Sequence, residues 1–300
     1  MSKIKIMCTS TGCIDYAPER YKNLGIEIIR VHVIYGGNEY KEGLDLDPVA
    51  FYEYLETLED PKKNLPSTAM PDTEDIRAAF EKAIADGYDE AIVYAISAYL
   101  GGTYNKICLI AKEFEGRLKI NVVDTKITSF SEGFLAIKAA EFAANGMTSE
   151  QILKETDWII RHQTFLGVDG KLDYLIYNGR LKGGKALMGQ ILNFCPVLTF
   201  NQGGECVALE SVRTQKKALA RCCELIKEKI GDRSTEDYVL FHVYTGPSLI
   251  NVLKEIEPKF DLKTNHEAVI MSPVSGSHNG PWLAGYGLTL LRREDESLED

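Results

Sequence analysis

The 300-residue sequence predicts an α/β protein made of two α/β domains, the first with a mainly parallel sheet flanked by helices and the second with a mixed sheet and helices. Three observations carry that expectation. In the first half, short runs rich in branched residues alternate with segments of helix length. In the second half, two strand-like runs flank a glycine-containing turn, the signature of a hairpin. A composition of 45% apolar and 26% charged residues gives enough apolar side chains for a sizeable core.

The elements follow in order. "KIKIMC", "GIEIIRVHVIY", "EAIVYAIS" and "KINVVDT" read as strands. Asp47-Pro48 supplies an N-cap and a first-turn proline for a helix through Leu58. Asp72, with Glu74 and Asp75 suited to the positive end of a helix, starts another through Ala85. Thr103 opens a helix carrying Ile107, Leu109, Ile110 and Phe114. After the helix "SEQILKETDWIIRH" a boundary is expected, dividing the chain into residues 1–165 and 166–300. Glycine-broken helices ("YNGRLKGGKALMGQILNF") come next. "CPVLTF" and "CVALESV" then form a hairpin around Asn201-Gln202-Gly203-Gly204. A helix from Lys216 to Ile230, a strand "DYVLFHVY", a helix from Pro247, a strand "EAVIMS", a glycine-rich loop around His278 and a last strand "GYGLTLLR" complete the chain. The acidic tail "REDESLED" reads as a frayed end.

A net charge of -10 repels phosphate backbones, which excludes nucleic acid as a partner; the one basic stretch, "VRTQKKALAR", is short. No apolar run reaches the ~18 residues of a spanning helix, and the start "MSKIKIMCTS" lacks the apolar core of a signal peptide, so a cytoplasmic location is expected. The seven cysteines are odd in number and scattered, the pattern of reduced buried thiols. No CxxC pair occurs and the five histidines lie far apart, so no metal site is expected.

Parallel sheets bind ligands at the carboxyl ends of their strands. Four polar segments fall there: "CTSTG", "PSTAMP", "ISAYLGGTYN" and "VDTKITSFSEG". Any one of them could serve only as a helix cap. Together they offer hydroxyls and backbone amides at helix starts, donors that suit an anionic head group. The phosphate loop GxxxxGK[ST] and the dinucleotide fingerprint GxGxxG are both absent, so a carboxylate fits better than a nucleotide.

These segments, taken with "YLIYNGRL", "VRTQKKAL" and "GSHNGP", resemble in order the motifs of the DegV family, bacterial fatty-acid-binding proteins that include the FakB partners of fatty acid kinase. The resemblance covers essentially the whole chain. It implies a lipid site between the two domains, no cofactor and no metal, a bound long-chain fatty acid, and no chemistry performed by the chain itself. It further implies presentation of the carboxylate to a fatty acid kinase that makes acyl phosphate for phospholipid synthesis, a monomer, and transient contact with a membrane surface. By position, Thr68, Ser97 and His278 would hold the carboxylate, with Thr103 beside them. Phe130, Phe134, Ile137, Phe165, Leu187, Met188, Ile191 and Phe194 would line the acyl tunnel, although most also read as plain core. Arg213, and with it Arg180, would contact the kinase. The chain departs from the pattern at Thr9, where the family has aspartate, at Ala69, Ala98 and Gly101, where it has serine, and at Trp282, where it has glycine. Two other readings stay open: an acyl hydrolase using Ser97 or Cys8 with His278, and a regulatory scaffold with a vestigial lipid site. No GxSxG elbow supports the first.

Overall fold

The computed structural model describes residues 2–59, 63–184, 194–260, 262 and 268–299. Four parallel strands, β1 (Ile4–Thr9), β2 (Glu27–Ile29), β6 (Glu90–Ala95) and β7 (Lys119–Asp124), form a sheet in the order β2-β1-β6-β7. Six more, β8 (Thr164–Asp169), β9 (Cys195–Phe200), β10 (Cys206–Val212), β11 (Tyr238–Tyr244), β12 (Ala268–Ile270) and β13 (Leu283–Leu290), form a mixed sheet in the order β10-β9-β8-β13-β11-β12. The chain is therefore α/β with one parallel and one mixed sheet, as its sequence predicts.

The alternation of side chains along each strand explains how these sheets stack. On β1 and β6, Met7, Ala91, Val93 and Ala95 face helices α3 (Thr73–Ala85) and α4 (Thr103–Ala111), packing on Ile76, Phe80, Ile107 and Ile110. The alternate residues Ile6, Cys8, Ile92 and Tyr94 share a core with Leu135, Ala136 and Ala139 of α5 (Phe130–Ala144). The opposite stripe of α5, Phe130, Phe134 and Ile137, packs on Phe165, Phe241 and Val243 of the mixed sheet. One helix is thus buried between two sheets, which is why its sequence is apolar nearly all round. Helix α6 (Ser149–His162) lies beside α5, started by a reciprocal capping box between Thr148 and Gln151. Helices α8 (Gln215–Ile230) and α9 (Pro247–Ile256) cover the far face of the mixed sheet.

Three expectations need correction. "GIEIIRVHVIY" is two strands: β2 joins the parallel sheet, while β3 (His32–Tyr35) joins β4 (Asn38–Lys41) and β5 (Ser67–Ala69) in a third, antiparallel sheet. The break falls at Arg30, whose guanidinium is held by the Asp15 carboxylate and the Glu42 carbonyl. The expected division after residue 165 falls near the start of β8. The small sheet and α2 (Pro48–Glu56, capped by Asp47) also pack on the second half of the chain, with Val31, Phe51 and Tyr52 in one cluster with Tyr174 and Val274. "PVSGSHN" is a helix, α10 (Pro273–Asn279), where the composition suggests a loop. Ser272 caps its start, Pro273 takes the first turn and Gly280, at φ +78°, ends it. Finally, the tail is tied down rather than frayed: Arg293 pairs with Asp237 at 3.1 Å, and the Leu298 carbonyl accepts from the Arg161 guanidinium at 2.6 Å.

Candidate functional site

A cavity of about 280 Å³ opens at the carboxyl end of the parallel sheet, where α4, β5, α7 (Asp173–Tyr177), the β9–β10 hairpin and α10 converge. Val31, Ile96, Leu100, Leu175, Phe200 and Val274 give it apolar walls. Its polar lining is Thr11, Thr68, Thr103, Thr128, Ser275, Asn279, His278 and Arg180, with no carboxylate. In a chain of net charge -10, that is a local reversal.

Each polar group has a definite state. His278 sits on the last turn of α10, and its Nε2 lies 3.2 Å from Thr68 Oγ1 on β5. Nδ1 is buried and has no hydrogen-bond partner. Burial, with a smaller contribution from the Arg180 charge, holds the imidazole pKa down at about 3, so the ring is neutral around pH 7. A neutral ring carries one donor and one acceptor nitrogen. Arg180 donates to the carbonyls of Leu100 at 3.2 Å and Asn178 at 2.5 Å, and no carboxylate pairs with it among the described residues. Its charge is therefore oriented but not neutralised. Thr103 is the first residue of α4, and with Gly101 and Gly102 it lines the cavity at the helix start, where amides lack intrahelical partners. Thr128 and Ser275 hydroxyls bond each other at 2.7 Å.

Among the described residues, the structure brings together Thr68, His278 and Thr103. Ser97 stands apart. It is fully buried, and its hydroxyl donates to the Gly204 carbonyl at 2.8 Å while accepting from the Tyr99 amide. It anchors the β9–β10 hairpin to the β6–α4 turn, where Gly204 lies at φ +84°. Cys8 is buried against Glu132, and burial and the neighbouring carboxyl push its thiol pKa well up, away from the thiolate. Neither Ser97 nor Cys8 is hydrogen-bonded to His278, so the nucleophile–base contact of a hydrolase is not formed.

The two arginines expected at a partner contact sit in different places. Arg180, expected at a partner interface, lines the cavity. Arg213 is exposed just beyond β10, about 23 Å from Cys206 at the cavity by the usual strand rise. Phe130, Phe134, Ile137 and Phe165 form one packed cluster and do not border the cavity, although Phe200 links the two through an edge contact with Phe165 at 5.6 Å. Phe194 is 41% exposed. Leu187, Met188 and Ile191 lie outside the described residues.

The family model described as "uncharacterised protein, DegV family" matches residues 3–290. The chain belongs to the DegV family. A DegV domain-containing protein of Listeria innocua is 30% identical over 284 residues, 94% of this chain and 97% of its own. A fatty acid-binding protein of Thermotoga maritima is 27% identical over 300 residues, 97% of this chain and 99% of its own. The crystal structure of a fatty acid binding DegV family protein from Streptococcus agalactiae matches 97% of this chain and 100% of that one, with a TM-score of 0.87 at 28% identity.

In this DegV-family chain, sequence reasoning missed Thr11, Thr128, Ser275 and Asn279 as lining residues. Thr128 belongs to a hydroxyl-rich segment already singled out; Ser275 and Asn279 were hidden because their helix was read as a loop. At Gly101, where the family pattern has serine, a Cβ would meet nothing within 4 Å. The missing hydroxyl leaves room rather than a repacked wall.

Proposed function

We propose that this chain binds a long-chain fatty acid, with the carboxylate held by His278, Thr68, Thr103 and the amides at the start of α4, and with Arg180 supplying the opposing charge. The observation that carries this reading is the cavity's lining of apolar walls and polar donors without an acidic group. The unpartnered Nδ1 of His278 is the donor a carboxylate would satisfy, with Nε2 then accepting from the Thr68 hydroxyl. The relatives described as fatty acid-binding proteins support the ligand class. Each buried methylene contributes about 0.8 kcal/mol, so the tail would dominate affinity and the head group orientation. The acyl chain would extend past Phe200 toward the Phe165 cluster.

The chain would act in the cytoplasm and offer its bound carboxylate to a fatty acid kinase, with Arg213 contributing to that contact from outside the cavity. Among the described residues no helix is long and apolar enough to cross a membrane, so lipid would be exchanged by transient surface contact. Mass spectrometry of an organic extract from denatured protein tests the ligand. A stoichiometric fatty acid is expected, and an empty extract after exposure to a fatty acid panel refutes it. Adding a fatty acid kinase and ATP to the loaded protein tests presentation, with acyl phosphate as the expected product.

A further inference from the structure

We propose that His32, Asp72 and Asp75 bind one divalent transition-metal ion, which clamps the small antiparallel sheet to the start of α3. One ligand atom from each of the three lies within 4.8 Å of the others. They come from two segments, His32 from β3 and the two acids from the start of α3, so sequence spacing links only the acids.

His32 points to a ligand independently of the acids. It is 5% exposed, and its Nδ1 lies 2.6 Å from Glu39 Oε1. The Glu39 carboxylate can only accept, so Nδ1 is taken up as a donor and Nε2 is the ring atom that faces the acids. That Nε2 is buried without a hydrogen-bond partner, 3.5 Å from Asp72 Oδ2. A metal ion between this nitrogen and the Asp72 oxygen would satisfy both. A metal-bound histidine with its other nitrogen on a carboxylate is the usual second layer of such a site. Asp72 adds a further sign: it is the N-cap residue of α3, yet its side chain makes no capping bond and turns toward His32 and Lys41 instead.

The ammonium of Lys41 lies 2.5 Å from Asp75 and 3.4 Å from Asp72, so it is the competing cation. Its side chain is 35% exposed and can swing into water, leaving one imidazole and two carboxylates with open positions for solvent. That donor set suits zinc or cobalt(II). His32 pairs in register with Ala69, next to Thr68, so the ion would brace the segment that carries the cavity's hydroxyl.

Titration of the full-length, chelator-stripped protein with zinc by calorimetry, and with cobalt(II) by visible absorption, tests the site. One equivalent is expected. Asp75→Asn, a partly exposed position where folding is not at stake, and His32→Gln should each abolish saturable binding. Glu39→Gln should weaken it ~10–100-fold, and Lys41→Met should tighten it about tenfold by removing the competing charge. Binding that survives both Asp75→Asn and His32→Gln, or a thiolate absorption band with cobalt, would place the ion on cysteines and overturn the proposal. Absence of binding by the unmodified chain overturns it as well, whatever the Lys41→Met variant does.

Discussion

Two neighbouring hydroxyl-lined pockets meet at Thr11, and they differ in who supplies the acid. In one, Thr11 lies 2.9 Å from both oxygens of Glu132, Thr9 bonds the same carboxyl, and the Ile96 amide donates to Thr9 at 3.2 Å. Glu132 is fully buried, which pushes its pKa well above the usual carboxyl range, so it is held as a neutral acid. In the other, the cavity, hydroxyls, an imidazole and a guanidinium converge where the chain provides no acid. The first pocket is closed by its own side chain and serves the fold. The second keeps the same kind of donors for something that arrives from outside.

The contrast can be broken most strongly from the closed side. Glu132→Ala would leave Thr9 and Thr11 buried without their partner and open a void, so a loss of about 3 kcal/mol is expected in urea unfolding. The same truncation at His278 should cost less than about 1 kcal/mol of stability. If both variants lose equal stability, the cavity is part of the core and the comparison fails.

Glu42 sharpens it through pH. This carboxyl is fully buried and accepts from the Val274 amide at 3.2 Å, at the start of the helix that carries His278. Burial raises its pKa from 4.5 to about 7. The folded state therefore holds a proton that the unfolded state releases, and stability falls as pH rises through that window, by about 3 kcal/mol. Glu42→Gln should flatten this descent. His278 works in the opposite sense: with its pKa lowered to about 3, stability falls as pH drops below the usual histidine value of 6.5. Unfolding curves of the two chains between pH 5 and 8 make the comparison, and an unchanged pH profile in Glu42→Gln would mean Glu42 ionises freely.

Affinity comes next in size. His278→Ala and Arg180→Met should each weaken binding of a long-chain fatty acid about 10–100-fold, the range of a lost hydrogen bond to a charged group. Ser97→Ala should change affinity little, because its hydroxyl is committed to Gly204. Displacement of a fluorescent fatty acid distinguishes these outcomes. The smallest effect is at Gly101→Ser, which fills open space and should tighten binding only a few-fold, about 1 kcal/mol.

Much of this was legible from residue order. The strand–helix alternation, the β9–β10 hairpin and the hydroxyl-bearing loops are local patterns, and local patterns survive translation into structure because propensity and periodicity act over a few residues. His278 and Thr68 could be paired only through family resemblance, since 210 positions separate them. Arg180 follows a glycine in "NGRL", but nothing local says whether such a side chain points to solvent or inward.

The sequence by itself determined the α/β class, the reduced cysteines, the acidic surface and the presence of an anion-suited set of donors. Only the tertiary structure decided which donors remain free. Ser97 and Thr11 have the same chemistry as Thr68 and Thr103, but the first two are used up by Gly204 and Glu132. A hydroxyl's availability depends on what packs against it, and that is set by contacts between segments a hundred residues apart.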